Sequence, residues 1–293
     1  MKKLMILVSL VLLASGMNVK KLKKECDNGN GKNCYELSQQ KNMSVETREY
    51  YLDKSCKLDY VKSCFLLGIV NNFSCMFGYK DSCKSSLEYF EKGCKLNDGF
   101  CCKESGKFYF QDYSEVGIKQ DYFRAFNYFK KACNLNEAEG CKYLGYLYES
   151  GKGIRQNINL AVKYYKKGCK LKDGESCKNI SKLYYKNKNF VLALKYSKKA
   201  CDLNNSDGCV VSGVFLTNSF NGIQKNTFQG FKYIKKGCDL NNSISCNMVG
   251  ELYKKGIGTK QSYPKAKYYY GKACDLKIQK GCENYSILNS QGY

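Results

Sequence analysis

The sequence predicts an all-α fold of repeated helix hairpins, a solenoid rather than a single globule. Three observations carry that expectation. Eighteen of the nineteen cysteines fall into nine pairs with seven residues between partners, and proline occurs once in 293 residues. In register with the cysteines, a unit of roughly 32 to 39 residues recurs, the period of helix–turn–helix modules that bury their apolar faces only against neighbours. A chain nearly free of proline and without sustained apolar/polar alternation reads as helix, not strand.

The pairs are Cys26 and Cys34, Cys56 and Cys64, Cys75 and Cys83, Cys94 and Cys102, Cys133 and Cys141, Cys169 and Cys177, Cys201 and Cys209, Cys238 and Cys246, and Cys274 and Cys282. The first helix of each unit is expected to begin at the second cysteine of a pair. It carries Gly or Ser four residues on, at Gly106, Gly145, Ser181, Gly213 and Gly250, and often Tyr at the seventh, as at Tyr109, Tyr148, Tyr184 and Tyr253. Positions 0, 3, 4 and 7 share one helical face, so these residues form a packing stripe in which the small residue admits a close neighbour. Gly151 with Gly153, and Gly256 with Gly258, supply the left-handed backbone of the following turn.

The second helix carries Ala or Gly eight residues before its cysteine (Ala125, Ala161, Ala193, Gly230, Ala266). Three residues further on stands Tyr128, Tyr164, Tyr196, Tyr233 or Tyr269. Their fixed register beside small residues points to packing between helices rather than to an aromatic binding ladder. Each second helix ends at its cysteine, with turn signals such as Asp173-Gly174 and Asp207-Gly208 beyond it. Each pair therefore spans a helical corner tight enough for a disulfide. Closing such a loop contributes about 2.5 kcal/mol on the chain-entropy account.

Organisation follows from the departures. Lys2 and Lys3, the apolar run Leu4 to Leu13 and the small residues Ala14-Ser15-Gly16 read as a signal peptide over 1–16, hence secretion to the exterior or periplasm. Residues 17–55 form an N-terminal cap with a degenerate repeat, 56–281 the array and 282–293 a C-terminal cap. Cys75 and Cys83 fall outside the register and are expected to staple an inserted loop near 70–84. Cys101 is the odd cysteine, expected free, either as a thiol linking two chains or as a buried small residue.

These elements resemble the Sel-one-like repeat, a relative of the tetratricopeptide repeat. More narrowly, the C-x7-C staple with G-x-L-Y and A-x-x-Y-Y-x-K-[AG]-C resembles the Helicobacter cysteine-rich protein family. The resemblance implies a right-handed superhelical solenoid, a protein-interaction scaffold, and, from how that family is described, β-lactam binding or hydrolysis. It supplies no motif of catalytic residues that maps onto this chain.

Two main functions are therefore expected. A scaffold would bind a protein or extended peptide on its concave face, lined by positions one, five and eight after each first-helix cysteine. These are Lys103, Lys107 and Phe110; Lys142, Tyr146 and Glu149; Lys178, Lys182 and Tyr185; and Asn247, Glu251 and Lys254. The net charge of +23, almost all from lysine, suits an acidic segment. The alternative is a β-lactam-hydrolysing enzyme. Ser38 with Lys41 and Ser262 with Lys265 match S-x-x-K, but no S-D-N or K-T-G completes the set. The chain has no histidine, which excludes a Ser-His-Asp triad and a histidine-bound catalytic zinc, and nothing in the sequence calls for a cofactor. A basic factor for envelope or host polyanions is a third expectation. Lysine's dominance over arginine argues against nucleic acid.

Overall fold

The computed structural model describes residues 19–293, so the expected signal peptide lies outside the described residues. Among the latter are sixteen α-helices, one short 3₁₀ turn at Ser114–Val116 and two isolated β-bridges. The chain divides into two compact units, Met1–Asn157 and Ile158–Tyr293. Unit 1 runs α1 (Val19–Asp27), α2 (Gly31–Ser38), α3 (Val45–Lys57), α4 (Val61–Met76), α5 (Lys80–Lys95), α6 (Gly99–Phe110), α7 (Tyr122–Asn134) and α8 (Ala138–Ser150). Unit 2 runs α9 (Ile158–Lys170), α10 (Gly174–Lys186), α11 (Phe190–Asp202), α12 (Ser206–Thr217), α13 (Thr227–Asp239), α14 (Ser243–Lys255), α15 (Tyr263–Asp275) and α16 (Gln279–Ser290). No described helix is long and apolar enough to cross a membrane.

All nine cysteine pairs sit at bonding distance, with Cα atoms 4.4 to 4.8 Å apart. Bonds of this number imply an oxidising, non-cytoplasmic compartment. One corner geometry serves every pair. The third residue after the first cysteine adopts positive φ: Gly29, Asp59, Gly78, Asn97, Asn136, Lys172, Asn204, Asn241 and Lys277. The amide of the next residue then donates back to the carbonyl before that cysteine, as from Asn205 to Ala200 and Asn242 to Gly237, at 2.9 and 3.0 Å. This closes the helix end and reverses the chain.

The corner shifts the expected helix starts. The helix after each corner begins three residues ahead of its cysteine, and at five of the nine corners the Asx residue just before it supplies a side-chain cap. Asp173 accepts from Ser176 N, Asn205 from Gly208 N and Asn242 from Ser245 N. Asp207-Gly208 therefore lies inside α12 and is not a turn. Cys75 and Cys83 do not staple a loop either. Cys75 ends α4 and Cys83 opens α5, both continuous sixteen-residue helices, so the extra bond clamps the corner inside one hairpin. The stretch expected as a C-terminal cap holds most of α16, from Cys282 to Ser290.

Packing within the hairpins follows the expected stripe. A Cβ added at Gly106 would run into the Phe129 ring, and one at Gly250 into the Tyr270 ring. Ser181 occupies the same position and donates to Ala193 O at 2.8 Å. The deepest second-helix residues are Phe129, Tyr165, Ile234 and Tyr270, all 0% exposed, each one position beyond the tyrosines picked out by the sequence. Those tyrosines flank the core instead. Tyr109 stacks on Tyr128, Tyr184 on Tyr196 and Tyr253 on Tyr269, with centroids 5.8, 5.7 and 5.6 Å apart. Their role is packing between helices.

Beneath the disulfides, from Cys56–Cys64 onward, residues just before the two cysteines are small and in several corners meet. Gly93 faces Cys101, Ala132 faces Gly140, Ala200 faces Gly208, Gly237 faces Ser245 and Ala273 faces Gly281; Ser63 Oγ donates to Ser55 Oγ at 2.7 Å. Where one partner is glycine, the other supplies one or two heavy atoms. Cys101 belongs to this series. It is free, 0% exposed, and burial pushes its thiol pKa up, so it fills space opposite Gly93 as serine does opposite Gly237.

Candidate functional site

The face of the first helices is where the sequence places partner contacts, and the structure divides that set in two. Most of the position-one lysines are spent between successive repeats. In unit 1, Lys103 is 4% exposed, with Nζ 2.7 Å from Glu104 and 3.1 Å from Glu139 and 3.8 Å above the Phe100 ring. Lys107 pairs with Glu104 at 2.9 Å and Lys142 with Glu139 at 2.8 Å. Burial raises the Glu139 pKa, but hydrogen bonds and charge from Lys142 and Lys103 outweigh it and hold the carboxyl at about 2. The glutamate two residues before one unit's cysteine thus receives the lysine one residue after the previous unit's cysteine.

Unit 2 repeats this logic. Lys178 pairs with Glu175 and reaches Asp207 at 3.4 Å. Asn205 donates to Glu175 at 3.0 Å, and Asn242 to Asp207 at 3.0 Å. Asn247 accepts from Asn284 at 3.1 Å, and Glu251 accepts from Tyr270 OH at 2.8 Å. These side chains fix the spacing of neighbouring helices. Tyr146 and Lys182 are exposed; Tyr146 packs edge-on against Phe110 at 5.7 Å.

Helix α12 departs from this polar pattern. Its positions one and five are Val210 and Val214, where the units from Cys102, Cys141, Cys177 and Cys246 carry Lys, Asn, Tyr or Glu; the unit from Cys64 is likewise apolar there, with Phe65 and Ile69. In α12, Leu216 and Phe215 are buried, and Phe215 joins the half-buried Val210, Val211 and Val214 along the groove. They floor a groove of about 370 Å³ against α10, whose Tyr185 forms one wall at 52% exposure. Phe220, from the loop after α12, closes the end and lies 4.8 Å from Phe215 and 5.3 Å from Phe190. Lys178 and Lys182 form the rim. Lys178, Lys182 and Tyr185 are among the expected contact residues, whereas the valines and Phe220 are not, although the two valines in register with polar residues in neighbouring units signal them.

The S-x-x-K serines have local structural work. Ser38 is buried and donates to Tyr35 O at 2.5 Å. Ser262 caps α15 by accepting from Lys265 N at 3.4 Å, while Lys265 Nζ lies 5.5 Å from the Tyr253 ring. No metal-holding group of His, Cys, Asp or Glu is found among the described residues.

Comparison with known proteins gives a consistent picture. The Sel1 repeat matches residues 61–98, 102–137, 138–173, 184–205, 213–242 and 243–277. Among solved structures, a protective antigen of uropathogenic Escherichia coli displaying this fold is 16% identical. It covers 94% of this chain and 68% of its own, with a TM-score of 0.60. A Sel1 repeat protein from Oxalobacter formigenes is 20% identical over 76% of this chain and 98% of its own, also at 0.60. Cysteine-rich protein B of Helicobacter pylori is 32% identical over 46% of this chain and 96% of its own, with a TM-score of 0.35. No curated protein matches the chain.

Proposed function

We propose that this chain, which belongs to the Sel1 repeat family, is a disulfide-stapled scaffold that binds a polypeptide segment on the first-helix face of unit 2. The observation that carries this reading is the replacement of the polar pattern by Val210 and Val214 beneath an exposed Tyr185. A helix with half-buried valines lining an open groove, where four other units carry polar or charged side chains, has a surface to cover. The occupant is an extended peptide with one bulky apolar side chain in the groove and an acidic residue beside it, facing the exposed Lys182. The disulfide at each corner supplies rigidity, and the oxidising compartment fits a secreted or periplasmic setting.

Peptide display against the oxidised chain tests this. The expected selection is an apolar residue flanked by Asp or Glu, with at least tenfold weaker binding to Val214→Asp. Peptides that bind the Val214→Asp variant as well as the parent would remove the groove from the account.

A further inference from the structure

A second recess lies on unit 2, separate from the peptide groove. The loop over residues 218–226 is held by Asn226 N donating to Leu216 O at 2.8 Å and Ile223 N donating to Phe220 O at 3.0 Å. While Phe220 closes the groove, Gly222 to Asn226 turn the other way and enclose about 320 Å³ against α11 and α13. The size falls in the range of small-ligand sites.

We propose that this recess binds an anionic sugar residue, carboxylated or sulfated, of an acidic glycan. Its lining includes Lys198, Lys225, Gln224 and Gln229, and none of its lining residues is acidic. Its floor is apolar, made by Val191, Leu194, Leu216 and Ile223. That combination fits a ring with a C–H face to cover, hydroxyls to hydrogen-bond and a negative substituent to neutralise. An inorganic ion would leave the floor unused, and an acyl chain would leave both ammoniums unmatched. Lys198 is half-buried, with Nζ 5.9 Å from the Tyr233 ring. The surrounding field points the same way. Residues 158–293 carry 24 lysines and no arginine against 8 acidic residues, whereas residues 19–157 are close to balanced, with 23 basic against 18 acidic. A chain of such sugars arriving at unit 2 is therefore drawn in electrostatically before one residue seats.

Calorimetric titration of the full oxidised chain decides it, with an oligogalacturonate hexamer, a sulfated oligosaccharide of equal length, a neutral gluco-oligosaccharide and inorganic sulfate as probes. At least one acidic oligosaccharide is expected to bind, the neutral one not at all. Lys198→Gln/Lys225→Gln is expected to weaken that binding at least tenfold. Lys170→Gln/Lys260→Gln, which changes the net charge equally at exposed positions outside the recess, is expected to weaken it less than threefold. Equal losses in the two double variants would show diffuse charge only. Sulfate binding as tightly as the acidic sugar would show a simple anion site. Either result, or no binding of either acidic oligosaccharide, overturns the proposal.

Discussion

Replacing Lys103 and Glu104 tests whether the first-helix face is a structural tie between repeats rather than an open charged surface. Lys103 Nζ lies between Glu104 on its own helix and Glu139 on α8, and both Lys103 and Glu104 are more than nine-tenths buried. Stranding one member of a buried pair costs about 3–5 kcal/mol when nothing else compensates. Lys103→Met falls short of that, because Glu104 keeps Lys107 at 2.9 Å and Glu139 keeps Lys142 at 2.8 Å. A loss of about 1–2 kcal/mol is expected. Glu104→Leu is harsher, at about 3 kcal/mol, since Lys103 is left buried with the more exposed Glu139 alone. The double variant Lys103→Met/Glu104→Leu removes both buried charges and is expected to be milder than Glu104→Leu. Repeat arrays need not unfold in one step, so native-state hydrogen exchange of α6 and α8 amides is the assay, with disulfides intact. A double variant as destabilised as the sum of the singles would refute the coupling.

Two further outcomes follow from the corners and from the odd cysteine. Lys172 and Lys277 hold left-handed backbone that other corners give to Asn, Asp or Gly; Lys172→Gly and Lys277→Gly are each expected to stabilise by about 1 kcal/mol, read as a raised urea midpoint, and a lowered midpoint would contradict the strain. Cys101→Ser is expected to stay monomer-like or oligomeric in whatever proportion the parent shows on non-reducing gels, with the midpoint moved by less than about 1 kcal/mol; a band lost with the thiol would show that Cys101 links chains.

The alignment of the nine cysteine pairs was legible because covalent corners recur at fixed spacing, and a corner that closes on a disulfide tolerates little drift. The stripe through Gly106, Ser181, Gly213 and Gly250 was legible for a similar reason: close helix approach admits only small side chains, and periodicity exposes them. Cys75 and Cys83 could have been placed too, since Gly78 stands third after Cys75 as Gly29 does after Cys26. The same corner motif works inside a hairpin as well as between hairpins.

What the chain order could not display was which surface side chains are already engaged. Lys103 meets Glu139 from 36 residues away and Lys178 meets Asp207 from 29, so a lysine that looks available in one unit is consumed by the next. The groove likewise arises only when α10, α12 and the loop bearing Phe220 come together. Local spacing determines each corner and stripe, because those contacts lie within a few turns of helix. Occupancy of the outer face is decided by stacking, because it depends on what the neighbouring repeat presents.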